Sequence, residues 1–374
     1  MIDISKVQIN RIYGLQTLLG GFAPTFRFVH IKELDNTIKG KSYTQLFREG
    51  KTNCFDKTTI ILEPCNIPLV FNNELVNYEN YEAKEINPVS ILDTGTSLQA
   101  GKTYYIYITS DKELICSLNS DAPTGYTTSN TQWLSSFHTV CANVGTISGH
   151  LLSGYNAGDI LPNSISCISF RPRFADVDGM AYIDVIDKWC DIYLQSGTGL
   201  NTKSVFGATI TDTRYYQNHV EDLFSVGKHL ANDNEFTAYA FGSNQGTAIS
   251  GAADPVTTGG HVDTAGRRMI SVYGIEDCCG ALWQYLNSTG ASGGSGWTVI
   301  NTDMGKGSFY GEGFVLRAGG YWGDSSYCGV GSRISSASRA TLGVGLSARG
   351  LAANAKGFEF YSNPFLFRPP CAVI

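Results

Sequence analysis

Ten cysteines and six histidines are the side chains of this 374-residue sequence best suited to bond-making chemistry. The cysteines stand at Cys54, Cys65, Cys116, Cys141, Cys167, Cys190, Cys278, Cys279, Cys328 and Cys371. None forms a CxxC pair and no histidines cluster beside them, so the spacing of a zinc site is missing. Cys278 and Cys279 are adjacent, an awkward geometry for a shared ligand or a redox pair. The scatter is that of small core residues made in a reducing compartment. His138, His150, His219, His229 and His261 are equally dispersed, and each reads as a satisfied polar residue rather than a catalyst. No metal, cofactor or catalytic set emerges. What remains is recognition chemistry: hydroxyls, aromatic rings and bare backbone, concentrated in the stretch Arg317 to Gly350.

That stretch has neither the charge pattern nor the caps of a helix. Near its end Leu342, Val344 and Leu346 alternate with Thr341, Gly343, Gly345 and Ser347, the period of a strand with one face in a core. The other face would present little but hydroxyls and backbone. Arg317, Trp322, Arg333 and Arg349 punctuate the stretch, with Trp322 and Arg333 read as structural, the arginine bonding to carbonyls. Between these posts sit small, polar or aromatic residues. A rigid frame carrying a loosely specified surface implies a binding face and not a reaction.

Composition sets the elements that must position this face. The length argues for two or three domains. Hydrophobic residues at 43% and aromatics at 12% can fill cores, while charged residues at 16% are few. Gly occurs 42 times and thickens after Gly197, favouring loops and tight turns. A net charge of −6 gives no basic footprint, which excludes nucleic acid as the expected partner. The start MIDISKVQIN has no apolar core behind a basic end, so no signal peptide is read, and no run is long enough to span a membrane.

In chain order, residues 1–50 are short apolar segments read as a small β or attachment region. From Thr58 the texture is β: Thr58 to Leu62, Pro68 to Phe71, Tyr104 to Thr109, Glu113 to Ser117 and Trp133 to Val140. Short strands at this spacing predict a β-sandwich-like domain over 51–163, ending near Leu161-Pro162-Asn163. Beyond it, Tyr182 to Leu194 reads as a strand pair. Tyr216, Val220, Leu223 and Phe224 share a helix face, and Asn232 with Glu235 forms a capping box opening a second helix. Gly242 to Gly266 reads as a long surface loop, Ala281 to Tyr285 as a buried strand, and Phe358 to Phe367 as a closing strand. The fold class expected is α+β, a β-rich half followed by a second domain over 164–374.

Four segments carry a resemblance: Gly179-Met180, GKHLANDNEF (Gly227 to Phe236), YGIEDCCGALWQY (Tyr273 to Tyr285) and RAGGYW…SR…ARG. Together they resemble the motif series of formylglycine-generating-enzyme-type C-type lectin domains. More narrowly, the chain is similar to the variable proteins of diversity-generating retroelements over roughly residues 100 to 350, including the APTGY, FRP and CDIYL segments. The likeness implies a C-type lectin fold for 164–374 and a trimeric homo-oligomer, although residues 1–95 do not share it.

In that family a C-terminal repeat is rewritten by adenine-mutating reverse transcription, and the altered face recognises a receptor on a host or partner cell. The implied partner is therefore a protein or glycan receptor, and the implied location is a virion tail tip or a microbial cell surface. The absence of a signal peptide fits assembly into a virion. Carried over by position, the variable face comprises Tyr321, Gly323, Asp324, Ser325, Ser326, Tyr327, Ile334, Ser335, Ser336, Ala337, Ser338, Ala340, Thr341, Gly343 and Gly345. The spacing on both sides of Arg333 differs from the family's pattern. Asparagine codons mutated at adenine do not readily give Lys, Glu, Gln, Met or Trp, and none of these positions holds one. Small residues with a few tyrosines also match the make-up of an antibody paratope. With two large anchors, single-site affinity is expected to be modest and several copies to bind through avidity.

Three other readings belong beside this one. Formylglycine-generating enzymes use a pair of C-terminal cysteines, whereas Cys328 has no near partner in sequence and Cys371 lies far off, which weighs against catalysis. Trp322-Gly323-Asp324 resembles the WND motif of calcium lectins, but the companion EPN- or QPD-type loop is absent. A purely structural virion or surface protein is the third, if the face is buried against another chain.

Overall fold

Alternating β-branched and aromatic residues build the first of two cores. The computed structural model describes residues 51–355, except 73, 169, 292–296, 303–304, 311–312, 336–342 and 344. The expected N-terminal unit 1–50, the strand Phe358 to Phe367 and Cys371 lie outside the described residues.

Strand β1 (Thr52–Cys54) pairs antiparallel with β2 (Ile60–Leu62). A hairpin of β3 (Cys65–Phe71) and β4 (Glu74–Asn80) follows, and β5 (Lys84–Ile86) returns to the free side of β2. Next, β6 (Thr103–Thr109) pairs with β7 (Leu114–Ser117) and with β8 (Thr131–His138), which carries the short β9 (Ser166–Cys167) on its other edge. Tyr104, Ile106 and Ile108 on one face of β6 pack with Ile60, Leu62, Phe71, Leu134 and Phe137. Tyr104 stacks on Phe137 with centroids 5.7 Å apart. Each such fully buried side chain contributes roughly 1.5–3 kcal/mol, so this cluster is enough to fix the register of the three sheets. Strand β6 also buries its opposite face. The Tyr105 hydroxyl donates to Asp178, and His138 at the end of β8 bonds Tyr193, tying the first core to the second.

The second core is built around two four-stranded sheets and two short helices. Strands β10 (Met180–Ile183) and β11 (Lys188–Asp191) form a tight antiparallel pair, turned by Asp187 at φ +51°. Helix α1 (Tyr216–Ser225) buries Tyr216, His219 and Leu223, spaced as one helical face demands. After β12 (His229–Leu230), helix α2 (Asp233–Tyr239) opens on the full capping box. The Asn232 side chain accepts from the Glu235 amide, and the Glu235 carboxylate accepts from that of Asn232. Strand β13 (Trp283–Ala291) is followed by the hairpin β14 (Trp297–Thr302) and β15 (Gly305–Tyr310). Then come β16 (Gly313–Gly319), β17 (Gly329–Ile334), β18 (Leu346–Ser347) and β19 (Gly350–Ala353). One sheet runs β10-β11-β19-β12, the other β17-β16-β13-β18, with β18 parallel to β13. The chain is thus sheet-rich, with two α-helices among the described residues.

Two expectations are corrected. A strand through 341–347 does not form over its described part: Gly343 and Gly345 lie in a turn closed by the Leu346 amide on the Gly343 carbonyl, and only Leu346–Ser347 pairs as a strand. Ser347 faces inward, fully buried, because its hydroxyl donates to the Thr211 carbonyl at 3.0 Å. The stretch 242–266 is not a plain surface loop either. It threads inward, burying Asn244, Ile249, Thr258 and Asp263, and is pinned by bridges such as Ile249 to Asp263.

Candidate functional site

The frame beneath the expected binding face consists of buried polar residues, each with a structural task. Arg349 is fully buried, and its guanidinium donates to the carbonyls of Asp191 (2.8 Å), Ile192 (2.7 Å) and Glu276 and to the Gln284 side chain (3.1 Å). Gln284 in turn donates to the Cys278 carbonyl at 2.9 Å and accepts from Tyr239 at 3.0 Å. A buried cation left unmatched would cost several kcal/mol; here backbone carbonyls of two separate segments and the side chain of a third are gathered round it. The rest of the YGIEDCCG segment works the same way. Glu276 pairs with buried Arg268, and Asp277 accepts from the Gly259 amide at 2.8 Å and contacts His261 at 3.0 Å. Burial alone would lower the His261 pKa, but the Asp277 carboxylate beside it raises it. In the GKHLANDNEF segment, Lys228 meets Asp191 at 2.6 Å with both side chains buried.

The face itself begins where β16 ends. Gly319 and Gly320 have φ of +95° and +85°, and a Cβ on Gly319 would sit 2.3 Å from the Cys278 carbonyl oxygen. Only glycine fits there, which is why the pair precedes the display positions. Tyr321 then bridges to Ala281, and the Trp322 amide donates to the Ala281 carbonyl at 3.0 Å. Trp322 is partly buried against Leu194, Ile249 and Leu282, anchoring the turn, and its ring meets Tyr321 edge-on at 4.9 Å. Asp324 closes the turn: its carboxylate accepts from the Tyr321 amide at 3.0 Å.

Beyond it a single 3-10 turn, Ser325–Tyr327, starts from Ser325 at φ +49°, a left-handed backbone that non-glycine residues adopt at some cost. It projects Tyr327, 79% exposed, beside exposed Ser325 and Ser326. Ser332 donates to the Tyr327 carbonyl and holds the turn against β17. Gly323 is exposed, whereas Ile334, Ser335, Gly343 and Gly345 are half-buried. Ser336, Ala337, Ser338, Ala340 and Thr341 lie outside the described residues.

Arg333 clamps this segment to the scaffold. Its guanidinium pairs with Asp233 at the start of α2, donates to Thr237 at 2.8 Å and to the carbonyls of Val330 and Ser332 at 2.7 and 2.9 Å, and lies 4.8 Å over the Phe236 ring. Carbonyl bonding by Arg333 was legible in the sequence; its acidic partner was not. Gln245 was missed altogether. Its side-chain oxygen accepts from the Val330 amide at 3.2 Å, while the Gly246 amide donates to the Cys328 carbonyl at 2.8 Å, so a distant loop supports β17 from below. Nothing in the local sequence marks such a contact.

The cysteines are interior. Eight of the nine in the described residues are buried and all nine are free thiols. Burial, and then the Asp324 carboxylate, push the Cys328 thiol up to about 12, far from a reactive thiolate. Among the described residues, no three His, Cys, Asp or Glu side chains converge as a metal site.

This sheet-rich scaffold has its counterparts among phage receptor-binding proteins. A family model described as the Mtd second domain matches residues 74–167. The tail fiber receptor-binding protein of Bordetella phage BPP-1 is 30% identical over 259 residues, 63% of this chain and 67% of that protein. Among solved structures, the Major Tropism Determinant I1 variant superposes with a TM-score of 0.67 at 26% identity, covering 83% of this chain and 86% of the variant. The M1 variant gives 0.65 at 25% identity, covering 82% and 83%. The chain belongs to this tropism-determinant family of phage tail fibre proteins.

Proposed function

We propose that the chain is the receptor-binding protein of a virion tail, and that the Tyr321–Gly345 surface contacts the receptor. The single observation that carries the assignment of the face is Tyr327. A large aromatic ring stands almost free in solvent on a turn flanked by fixed posts: Trp322 packed against the core, Asp324 on the Tyr321 amide, Arg333 on α2. An aromatic held out by a rigid base loses little entropy on binding, which is how paratope tyrosines act. The relatives' names, tail fiber receptor-binding protein and tropism determinant, support the same reading.

On this reading residues 164–374 form a C-type lectin domain, residues 51–163 a sandwich-like domain, and residues 1–50 a separate attachment region. The variable face comprises the fifteen positions from Tyr321 to Gly345 named above, and the partner is a protein or glycan on a host cell, bound by a homo-oligomer. The protein acts by binding and not by catalysis: Cys328, the thiol nearest the face, is buried and held protonated, which disfavours the oxidase alternative. The experiment is sequencing of the locus and of many isolates. A near-copy of the Arg317 to Gly350 coding segment, with adenines where the copies differ, supports the diversified face. Invariance of the segment with no such template would overturn it.

A further inference from the structure

The turn that projects Tyr327 is held at its far end by a bulge. Between β16 and β17 the ladder pairs Ala318 with Arg333 and then Gly319 with Gly329, so Val330, Gly331 and Ser332 stand out of it. Backbone groups released from a ladder must find other partners, and those partners set the shape of the bulge. Here they are side chains. The Val330 amide donates to the Gln245 side-chain oxygen at 3.2 Å, and the Val330 carbonyl accepts from Arg333 at 2.7 Å. Ser332, at the other end of the bulge, donates to the Tyr327 carbonyl. Tyr327 is thus tied to the bulge, and the bulge to Gln245 and Arg333.

Arg333 belongs to β17 itself, so of the two it is Gln245 that reaches in from another segment. Its loop grips both ends of the 321–328 stretch. After the turn, the Gly246 amide donates to the Cys328 carbonyl at 2.8 Å. Before it, the Ile249 amide donates to the Gly280 carbonyl at 3.0 Å, and the Gly280 amide is shared by the carbonyls of Gly319 and Gly320, each at 3.2 Å. The loop is braced internally: the Asn244 side chain donates to the Thr247 carbonyl at 2.8 Å, and the Thr247 hydroxyl to Asp263 at 2.6 Å. The Gln245 amide nitrogen donates to the Ser243 carbonyl at 3.3 Å, which turns its oxygen toward Val330. The fit is close, since a Cβ on Gly329 would stand 2.6 Å from that oxygen. Gln245 is itself exposed. A bond of this kind exchanges with water at little net change in stability, yet it sets the backbone from which Ser332 holds Tyr327.

We propose that Gln245 is the positioning residue of the display turn, fixing the direction in which Tyr327 projects and hence which receptor the face fits. It lies outside the expected variable positions, and its functional role rests on the reading that Tyr327 meets the receptor.

The test uses two probes on the full chain. One is susceptible cells; the other is a single-domain antibody raised against the folded protein and chosen because Tyr327→Ala weakens its binding without abolishing it. Gln245→Ala should lower both affinities by about three- to tenfold while the urea midpoint stays that of the parent. Gln245→Glu keeps an acceptor oxygen for Val330 and should recover most of the loss. Gly329→Ala displaces the Gln245 oxygen without removing it and should reproduce the loss. In a chain that already carries Tyr327→Ala, Gln245→Ala should cost the antibody nothing further. An equal loss in that background would overturn the proposal, because Gln245 would then touch the binder itself. So would unchanged antibody affinity in Gln245→Ala, or a loss that tracks a fall in the urea midpoint. Weaker antibody binding with unchanged adsorption to cells would uphold the positioning and overturn the receptor reading on which its function rests.

Discussion

A Cβ built on Gly345 would stand 2.9 Å from Cδ2 of Tyr321, so the tyrosine ring is seated on the bare backbone of that glycine. Gly323 approaches the same ring from its other end, where a Cβ would lie 2.8 Å from the hydroxyl. Two of the proposed variable positions thus determine where a third points. A substitution at either glycine should redirect Tyr321 as well as add its own side chain, so the face changes in a correlated way.

The energetic consequence separates two kinds of glycine. Neither Gly323 nor Gly345 has a left-handed backbone, and what each would meet is the ring of a partly exposed tyrosine, which can swing away. Gly323→Ala and Gly345→Ala should therefore change unfolding free energy by less than about 0.5 kcal/mol. Gly319 is the contrast: φ is +95° and the obstacle is the fixed Cys278 carbonyl, so Gly319→Ala should cost more than about 2 kcal/mol. Urea unfolding of the three variants decides the matter, and equal losses would show that the ring cannot move.

How much of this was legible in advance depends on the range of the contact. The Asn232–Glu235 capping box, the β6 strand and the helix face of Tyr216, Val220 and Leu223 are local patterns that stand where the sequence placed them. Phe224, read onto the same face, is instead 80% exposed, because one further residue turns it about 100° away from Leu223. Arg349 was legible only as a post in a motif, because its partners Asp191, Ile192, Glu276 and Gln284 come from other segments. Ser347 misled, since a hydroxyl in an alternating run looks solvent-facing until the Thr211 carbonyl is brought to it from 136 positions away. The support of β17 by Gln245 is likewise a product of topology and carries no local signal.

Tyr327 gives the most direct functional prediction. At 79% exposure it contributes little to the core, so Tyr327→Ala should leave unfolding free energy within about 0.5 kcal/mol of the parent. A central aromatic anchor at an interface is worth about 1.4 kcal/mol or more, a tenfold change in affinity. Adsorption to susceptible cells should fall by at least about that factor. Unchanged adsorption would remove the 325–327 turn from the receptor contact.

Arg333 should behave in the opposite manner. Its role is to fix β17 on α2 through Asp233, Thr237 and the Phe236 ring, and only a planar guanidinium meets all three together with two carbonyls. Arg333→Ala should cost about 1–3 kcal/mol and raise amide exchange in Gly329–Ile334 ahead of other strands. Arg333→Lys should restore only part of it. Full rescue by lysine would mean that charge alone, and not the forked geometry, holds the strand.

His138 predicts how the protein responds to acid. It is fully enclosed between Thr103 at 2.8 Å and Tyr193 at 3.0 Å, and burial, with a smaller push from Lys102, lowers its pKa to about 3. In the unfolded chain it titrates near 6.5. Between those values the unfolded state binds a proton that the folded state refuses, so stability falls as pH drops from about 6.5 toward 3. His219, lowered to about 4 chiefly by burial, acts in the same sense. Asp178 acts in the opposite sense, because burial and then Asp176 raise it to about 7 and the folded state keeps its proton longer than the unfolded one. The parent's net slope mixes these three with further shifted groups, among them His150 and His229, lowered chiefly by burial, and His261, raised by Asp277 against burial. The difference between parent and His138→Gln isolates one: that variant should be less stable at neutral pH, yet lose stability on acidification more shallowly, by up to about 1.4 kcal/mol per pH unit. Urea unfolding at intervals from pH 7 to 4 measures it, and parallel curves would show that His138 is protonated in the fold.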